Sequence, residues 1–144
     1  MKQIKDIKNK LEWEKYYDPD FKWYNFRFYD ENVLSKEFFR EFQNKVDWEY
    51  ISQYKKLSED FIREFKDKVD WYLISKFQTL SEDFIREFKD KVHWGFISEY
   101  QKLSEDFIRE FKNKVNWFWI FRNPTLSEDF KKEFKEELSI YEAD

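Results

Sequence analysis

The stretch Leu57–Thr79, LSEDFIREFKDKVDWYLISKFQT, decides the fold, because most of the chain consists of copies of it. The same pattern begins at five leucines, each 23 residues after the one before: Leu34, Leu57, Leu80, Leu103 and Leu126. A fixed period of roughly 20–50 residues is typical of repeat proteins. The chain is therefore predicted to be a tandem array of one small structural unit.

The first half of the repeat has the features of a short helix. Ser58 has the chemistry of an N-cap, because its hydroxyl can accept from an unpaired N–H of the first turn. The two acidic residues that follow Ser58 lie at the positive end of the helix dipole. Apolar residues recur every four positions, the spacing of one helix face, at Leu57, Phe61, Phe65 and Val69.

An Asn or Asp is predicted to end this first helix. One of the two occupies the same repeat position in four copies, at Asn44, Asp67, Asp90 and Asn113. Both residue types tolerate the left-handed backbone conformation. We therefore expect them to replace the glycine that ends many helices.

A second helix is predicted to begin directly after this turn. Asp70 is its N-cap candidate, and the equivalent residue in the third copy is His93. Trp71, Ile74 and Phe77 are spaced by three and predict a buried edge. Each repeat is thus expected to be two helices of roughly eight residues. Such short helices depend on neighbouring repeats, so the sequence predicts an all-α solenoid of stacked short helical hairpins.

The two ends of the chain depart from the repeat. Residues 1–33 predict an irregular N-terminal cap, in which residues 21–33 are either a diverged second helix or a short strand. Residues 126–144 predict a half-repeat at the C-terminus. Its Lys131 replaces the apolar residue of the earlier copies, as expected of a polar cap that no further repeat covers. The predicted organisation is one repeat domain over residues 1–144, with four full repeats over 34–125.

The composition leaves little for catalysis. The chain has no cysteine, one histidine (His93) and one glycine (Gly95). Nucleophile–histidine pairs, thiolate metal sites and glycine-rich phosphate loops are therefore not expected. Carboxylates one turn apart, such as Asp83 and Glu87, are interpreted as a solvated face. We predict a protein that is not an enzyme and that takes no cofactor, metal ion or small-molecule substrate.

Aromatic and charged residues dominate the chain, at 24% and 40%, and the net charge is −4. The rings must fill a core that is only two short helices thick. The negative balance opposes the phosphate attraction on which nucleic-acid binding depends.

No apolar run reaches membrane-span length, no signal-peptide core is present and no membrane partner is expected, so a cytoplasmic location is predicted.

Two positions of the second helix vary from copy to copy, although the residues around them do not. They lie one turn apart and share a face. The face is either a recognition surface, since solenoids bind along extended surfaces, or an unconstrained one. Tyr72, Phe118 and Arg122 belong to residue types enriched at protein interfaces. We name this face the variable strip and take as candidate partner-binding residues Glu49, Gln53, Tyr72, Lys76, Glu99, Phe118 and Arg122.

Arginines also recur on the first helices, at Arg40, Arg63, Arg86 and Arg109. The last three follow a glutamate by four residues, the spacing of a helical ion pair that contributes about 0.2–0.5 kcal/mol. We interpret the series as a salt-bridged face, and phosphate binding is the alternative.

The unit LSEDFIREFKDKVDWxxISxxQK resembles a short, Phe- and Trp-rich tandem repeat of phage, giant-virus and bacterial proteins. The resemblance covers Leu34 to about Leu138 and leaves residues 1–33 outside. It carries no catalytic or ligand-binding residues onto this chain. It implies a small viral or mobile-element protein in the host cytoplasm, of the kind that blocks host defence by binding a nuclease complex, as anti-CRISPR proteins do.

Three functions remain open from the sequence. The first is non-catalytic protein binding, with a host nucleic-acid-processing complex as the partner that the resemblance implies. The second is a helical-repeat reader of RNA or single-stranded DNA, because aromatic and basic residues alternate along the second helices. The third is a structural or designed repeat without a ligand.

Overall fold

The computed structural model describes residues 36–44 and 46–140. The predicted N-terminal cap lies outside these residues, and so does the choice between helix and strand for residues 21–33. The chain divides between Asp70 and Trp71 into two compact units, the N-terminal unit and the C-terminal unit. The expectation of one domain over the whole chain stays a prediction.

All ten regular elements in the described ranges are α-helices, and no strand occurs there. The N-terminal unit contains α1 (Lys36–Phe42), α2 (Trp48–Tyr54) and α3 (Glu59–Glu64). The C-terminal unit contains α4 (Trp71–Phe77), α5 (Glu82–Glu87), α6 (Trp94–Tyr100), α7 (Glu105–Glu110), α8 (Trp117–Phe121), α9 (Glu128–Glu133) and α10 (Lys135–Ser139). The predicted all-α class and the alternation of first and second helices are confirmed.

The first helices begin as the sequence predicts. In α5 the Ser81 hydroxyl accepts from the Phe84 N–H at 3.2 Å. The same bond caps α3, α7 and α9, at Ser58, Ser104 and Ser127. Each cap satisfies one of the N–H groups that the first turn leaves without an intrahelical partner.

The first helices end differently from the prediction. No residue in the described ranges has a positive φ, so the left-handed ending expected at Asp90 and its equivalents is wrong. Helix α5 ends at Glu87, and the C-cap Phe88 has φ −110° and ψ 27°. The Phe88 carbonyl then accepts from the N–H groups of Lys91 and Val92, at 2.8 and 3.1 Å. This tight right-handed turn satisfies the carbonyl without a left-handed residue.

The second helices begin at the predicted caps but bury a different edge. His93 Nδ1 accepts from the Phe96 N–H at 3.3 Å, so its expected N-cap role is confirmed. In α4 the buried residues are Ile74 and Ser75. Phe77 is 44% exposed, so its expected burial is wrong. The helix ends at this residue, and its last turn directs the ring away from the core.

The hydrophobic core is built from tryptophans that cover the phenylalanines of the next repeat. In the C-terminal unit the Trp71 ring lies 6.2 and 4.9 Å from the rings of Phe84 and Phe88. Trp94 lies at the same distances from Phe107 and Phe111. Within the N-terminal unit, the corresponding contacts join Trp48 to Phe61 and Phe65. Second helices also pack side by side, α4 on α6 and α6 on α8.

Buried serines join consecutive second helices by hydrogen bonds. The Ser75 hydroxyl donates to the Trp71 carbonyl at 2.7 Å and accepts from the His93 N–H at 2.9 Å. Ser98 makes the equivalent bonds, to Trp94 and from the Asn116 N–H. Each serine therefore satisfies a backbone group at the start of the next second helix. Phe121 occupies this position in the fourth repeat, where the regular alternation ends.

The C-terminal end is a shortened repeat with a polar face. Lys131 is partly exposed and its Nζ lies 2.8 Å from a Glu128 carboxylate oxygen. The equivalent Ile85 and Ile108 are fully buried. Helix α10 follows α9 almost at once and packs against α8 and α9. The expected polar half-repeat is thus present, with a second short helix that the sequence did not predict.

Replacement of Phe88 by Ala should lower the free energy of unfolding by about 3–5 kcal/mol, because it leaves a cavity under the Trp71 ring. Phe77→Ala is the matched control and should cost clearly less than Phe88→Ala, since Phe77 keeps 44% of its surface in solvent and Phe88 keeps 8%. Urea unfolding followed by circular dichroism measures both. Equal losses would show that the core is assigned to the wrong rings.

Replacement of Ser75 by Ala should lower the free energy of unfolding by about 1–3 kcal/mol, because the part-buried His93 N–H loses its acceptor. Ser139→Ala removes an exposed hydroxyl and should change stability by less than about 0.5 kcal/mol. A Ser75 variant as stable as the control would contradict a joining role for this bond.

Candidate protein-binding surface

The structure places the variable strip on the second helices of both units. In the N-terminal unit, Glu49 is exposed and Gln53 is half-buried, both on α2. In the C-terminal unit, α4 carries the exposed Tyr72 and the half-buried Lys76, and α6 carries the half-buried Glu99. Phe118 lies on α8 and Arg122 is the C-cap of that helix.

Tyr72 and Lys76 are brought together by Phe96, a residue that the sequence analysis did not single out. The Phe96 ring lies 4.5 Å from the Tyr72 ring, which approaches it edge-on. It also lies 4.6 Å from the His93 ring and 5.8 Å from the Tyr100 ring. We name this group the Phe96 cluster, consisting of Tyr72, Lys76, Phe77, His93, Phe96 and Tyr100.

The signal for this cluster was present in the sequence. Phe96 and Tyr100 are four residues apart, outside the buried stripe of α6, and aromatic residues recur at the position of Tyr100 in Tyr54 and Phe77. In the first three copies both positions carry large apolar or aromatic side chains, at Tyr50 and Tyr54, Leu73 and Phe77, and Phe96 and Tyr100, and the varying positions alone do not reveal them.

Lys76 lies among the rings of the cluster. Its Nζ is 5.2, 5.3 and 5.9 Å from the ring centroids of Phe77, Phe96 and Tyr100. An ammonium group at these distances is attracted by the electron-rich ring faces. The side chain is therefore held on the surface of α4 and α6 by aromatic contacts.

The one glycine and the one histidine of the chain meet in this cluster. A Cβ at Gly95 would lie 3.1 Å from His93 Cε1, closer than almost all real Cβ contacts. Gly95 therefore provides the space in which the imidazole caps α6 and contacts Tyr72 at 5.2 Å between ring centroids. The glycine at this position of the second helix therefore has a structural reason, the room that the His93 ring needs.

Glu99 is engaged with a neighbouring tyrosine. A hydrogen bond to the Glu99 carboxylate, together with partial desolvation, raises the pKa of the Tyr100 phenol above its ordinary value. The shift moves the pKa further from physiological pH, at which a phenol with the ordinary pKa of 10.0 is already neutral.

The remaining strip residues form a separate group on α8. The Arg122 guanidinium carbon lies 3.5 Å from the Phe118 ring centroid, and its Nη1 donates to the Phe118 carbonyl. Trp119 contacts the other side of this group, with its ring 4.9 Å from the Phe118 ring. The strip is thus resolved into two groups of rings and cations in the C-terminal unit.

The arginines of the first helices are bound to carboxylates. Arg86 bonds Asp83 at 2.9 Å and, through Nε, Glu110 of the next repeat at 2.8 Å. Arg109 repeats the arrangement with Asp106 and Glu133. The interpretation as a salt-bridged face is confirmed for both, and the bond across repeats was not predicted because it joins residues 24 apart.

Carboxylates of the first helices also join consecutive repeats. Glu105 Oε1 accepts from the Ser127 N–H at 2.6 Å, and Glu82 does the same for Ser104. This bond is the main cause that lowers the pKa of Glu105. Through it, the N-caps Ser104 and Ser127 are each tied to the repeat before them.

Other kinds of site are not evident in the described part of the chain. No group of His, Cys, Asp or Glu residues there has the arrangement of a metal site. Every buried side-chain nitrogen or oxygen atom there has a hydrogen-bond partner. Among these residues no helix has the length and apolar character needed to cross a membrane.

The fold and its contacts define a helical-repeat protein, in which short helix pairs are joined by rings, serines and ion pairs. Comparison with protein-family models, curated proteins and solved structures found no match to the chain.

The bond between Glu105 and Ser127 should make stability pH-dependent. The lowered pKa means that Glu105 contributes its full stabilisation above its ordinary pKa of 4.5 and loses it as the pH falls through the lower folded value. Glu105→Gln should therefore flatten the decline in unfolding free energy between about pH 5 and pH 3.

Glu105→Asp is the matched variant for this prediction, because it keeps the charge but is one methylene too short for the Ser127 N–H. It should flatten the profile as well. A wild-type profile in the Asp variant would assign the pH dependence to charge alone, and not to this hydrogen bond. Urea titrations at each pH provide the measurement.

Proposed function

We propose that this protein is a non-catalytic, protein-binding helical-repeat protein that uses its second helices for recognition. The observation that carries the proposal is the exposure of the Phe96 cluster. Tyr72, Phe77 and Tyr100 keep 52%, 44% and 49% of their surface in solvent, although every first-helix ring of the C-terminal unit, such as Phe84, is buried. Exposed apolar rings that form a group are typical of interaction sites.

The type of ring supports a protein partner. Tyrosine and phenylalanine supply large contact areas with few rotatable bonds, and they are enriched in the centres of protein interfaces. Their mutual contacts at 4.5–5.8 Å hold them in place before binding. A partner that covers them therefore gains apolar burial with little loss of side-chain entropy.

In its fuller form, the proposal places the partner in a host defence system. The resemblance to phage and giant-virus repeats favours a viral protein that acts in the host cytoplasm on a nucleic-acid-processing complex. The chemistry of the surface fits this form, since binding and blocking such a complex needs a rigid face and no reaction.

Single-stranded nucleic acid is the second candidate ligand. The exposed rings beside Lys76 favour it, because bases stack on such rings. The net charge of −4 and the carboxylate pairing of Arg86 and Arg109 oppose it, since a chain with an excess of acidic residues repels phosphates and these two arginines are already neutralised. Protein binding is therefore the better supported function.

The combined replacement of Tyr72, Lys76, Phe118 and Arg122 by Ser tests the proposal. The tagged variant should capture at least about tenfold less of its partner from host-cell lysate than the wild type, because interface energy concentrates in aromatic and Arg residues. Thermal unfolding by circular dichroism should stay close to that of the wild type, since these side chains lie outside the core.

Lys89→Ser with Lys112→Ser is the matched control, because both lysines are exposed on turns that follow first helices. This variant should capture the partner like the wild type. If the four-residue variant captured as much partner as the wild type, the second helices would not be the binding surface. Loss that is confined to the lysine variant would move the binding site to the turns.

A further inference from the structure

Two sets of cations among the described residues have different neighbours. On the first helices, Arg86 and Arg109 each contact three carboxylates, two on their own helix and one on the next repeat. Arg40 pairs with Glu64 in the N-terminal unit. The charge of these arginines is thus neutralised within the fold.

The cations of the variable strip are neutralised by no carboxylate among the described residues. Lys76 has aromatic contacts only, with Phe77, Phe96 and Tyr100. Arg122 stacks on Phe118 and bonds its backbone carbonyl. On a chain with a net charge of −4, the second helices of the C-terminal unit therefore keep two cations that lack acidic partners.

Aromatic contacts fix the position of such a cation without cancelling its charge. The rings remove part of the water around the Lys76 ammonium, and a carboxylate that approaches it then meets a partly desolvated, preoriented donor. Glu99, the one carboxylate of α6, is not paired with Lys76. The ammonium group is left as the polar contact of an otherwise apolar surface.

We propose that the Phe96 cluster binds an acidic segment of a partner protein, an inference that rests on the proposed protein-binding function. Lys76 bonds a carboxylate of the segment. The exposed faces of Tyr72, Phe77 and Tyr100 receive an apolar side chain beside that carboxylate. The ligand class is therefore a peptide in which acidic and apolar residues are neighbours.

Charge complementarity distinguishes this ligand from the other occupants of an aromatic surface. A basic segment meets Lys76 with like charge and leaves that charge buried without a partner. Nucleic acid offers many phosphates, for which the cluster has one lysine. In a second copy of the chain, the carboxylates of Asp83 and Asp106 already bond arginines of their own helix, and self-association is a separate outcome of the test.

Fluorescence anisotropy with labelled peptides tests the ligand class on the full chain. The probes are a peptide of alternating Glu and Leu, the same peptide with Lys for Glu, and a single-stranded oligothymidylate. The acidic peptide should bind more tightly than the basic peptide and the oligonucleotide. Its affinity should fall as NaCl is raised, because the contact with Lys76 is screened.

Charge-changing variants assign the contact to Lys76. Lys76→Gln should weaken binding of the acidic peptide about fivefold, the size of one solvent-accessible ion pair. Lys89→Gln makes the same change of net charge away from the cluster and should leave the affinity unchanged. Glu99→Gln removes the carboxylate of this face and should strengthen binding about twofold.

Several results overturn the inference. They are the absence of acidic-peptide binding, equal binding of acidic and basic peptides, tighter binding of the oligonucleotide, and equal affinities of Lys76→Gln and Lys89→Gln. Concentration-dependent self-association that Lys76→Gln abolishes, seen by sedimentation, assigns the cluster to a second copy and overturns it too.

The two proposals fail in different experiments. If the four-residue variant loses its lysate partner while Lys76→Gln and salt leave that capture unchanged, protein binding stands and the acidic segment is wrong. If the four-residue variant captures as much of the lysate partner as the wild type, the variable strip is not the protein-binding surface. The peptide titration then tests peptide binding by the Phe96 cluster on its own.

Discussion

The structure depends on one repeated contact. In it, the tryptophan at the start of a second helix packs on the two phenylalanines of the following first helix. The helices have five to seven residues, too few to be stable in isolation. Trp94 supplies what they lack, because its ring packs on Phe107 and Phe111 and its indole N–H donates to the Lys89 carbonyl. One side chain thus closes the turn of its own repeat and buries the core of the next.

Hydrogen bonds between polar groups fix the register of the repeats that this apolar packing joins. The Ser75 hydroxyl accepts from the His93 backbone N–H, and Glu105 accepts from the Ser127 N–H, so the repeats that these bonds join are fixed in register. Gln101 contributes in the same way: its amide donates to the Ser75 and Gln78 carbonyls at the end of α4, and its oxygen accepts from the Leu80 N–H. Ring packing tolerates small shifts between helices, whereas these hydrogen bonds are satisfied in only one arrangement of consecutive repeats.

In the C-terminal unit, charged and aromatic residues have different roles on the first helices and on the second helices. First-helix charges are paired across repeats and first-helix rings are buried. On the second helices, Lys76 and Arg122 lie on rings, and Tyr72 and Tyr100 remain exposed. The exposed side of the second helices carries none of these ion pairs between repeats, which leaves it free to vary. This division is the physical basis for placing recognition on the second helices.

The sequence by itself determined the repeat period, the serine caps, the cap role of His93 and the polar Lys131, because these depend on residues within one turn of each other. It placed Phe77 in the core and expected left-handed helix ends, and both were wrong. Only the tertiary structure decided that Ser75 is buried, that Arg86 reaches Glu110 and that Phe96 gathers a cluster. These contacts join residues 18 to 24 apart, and their geometry depends on how one repeat is seated on the next.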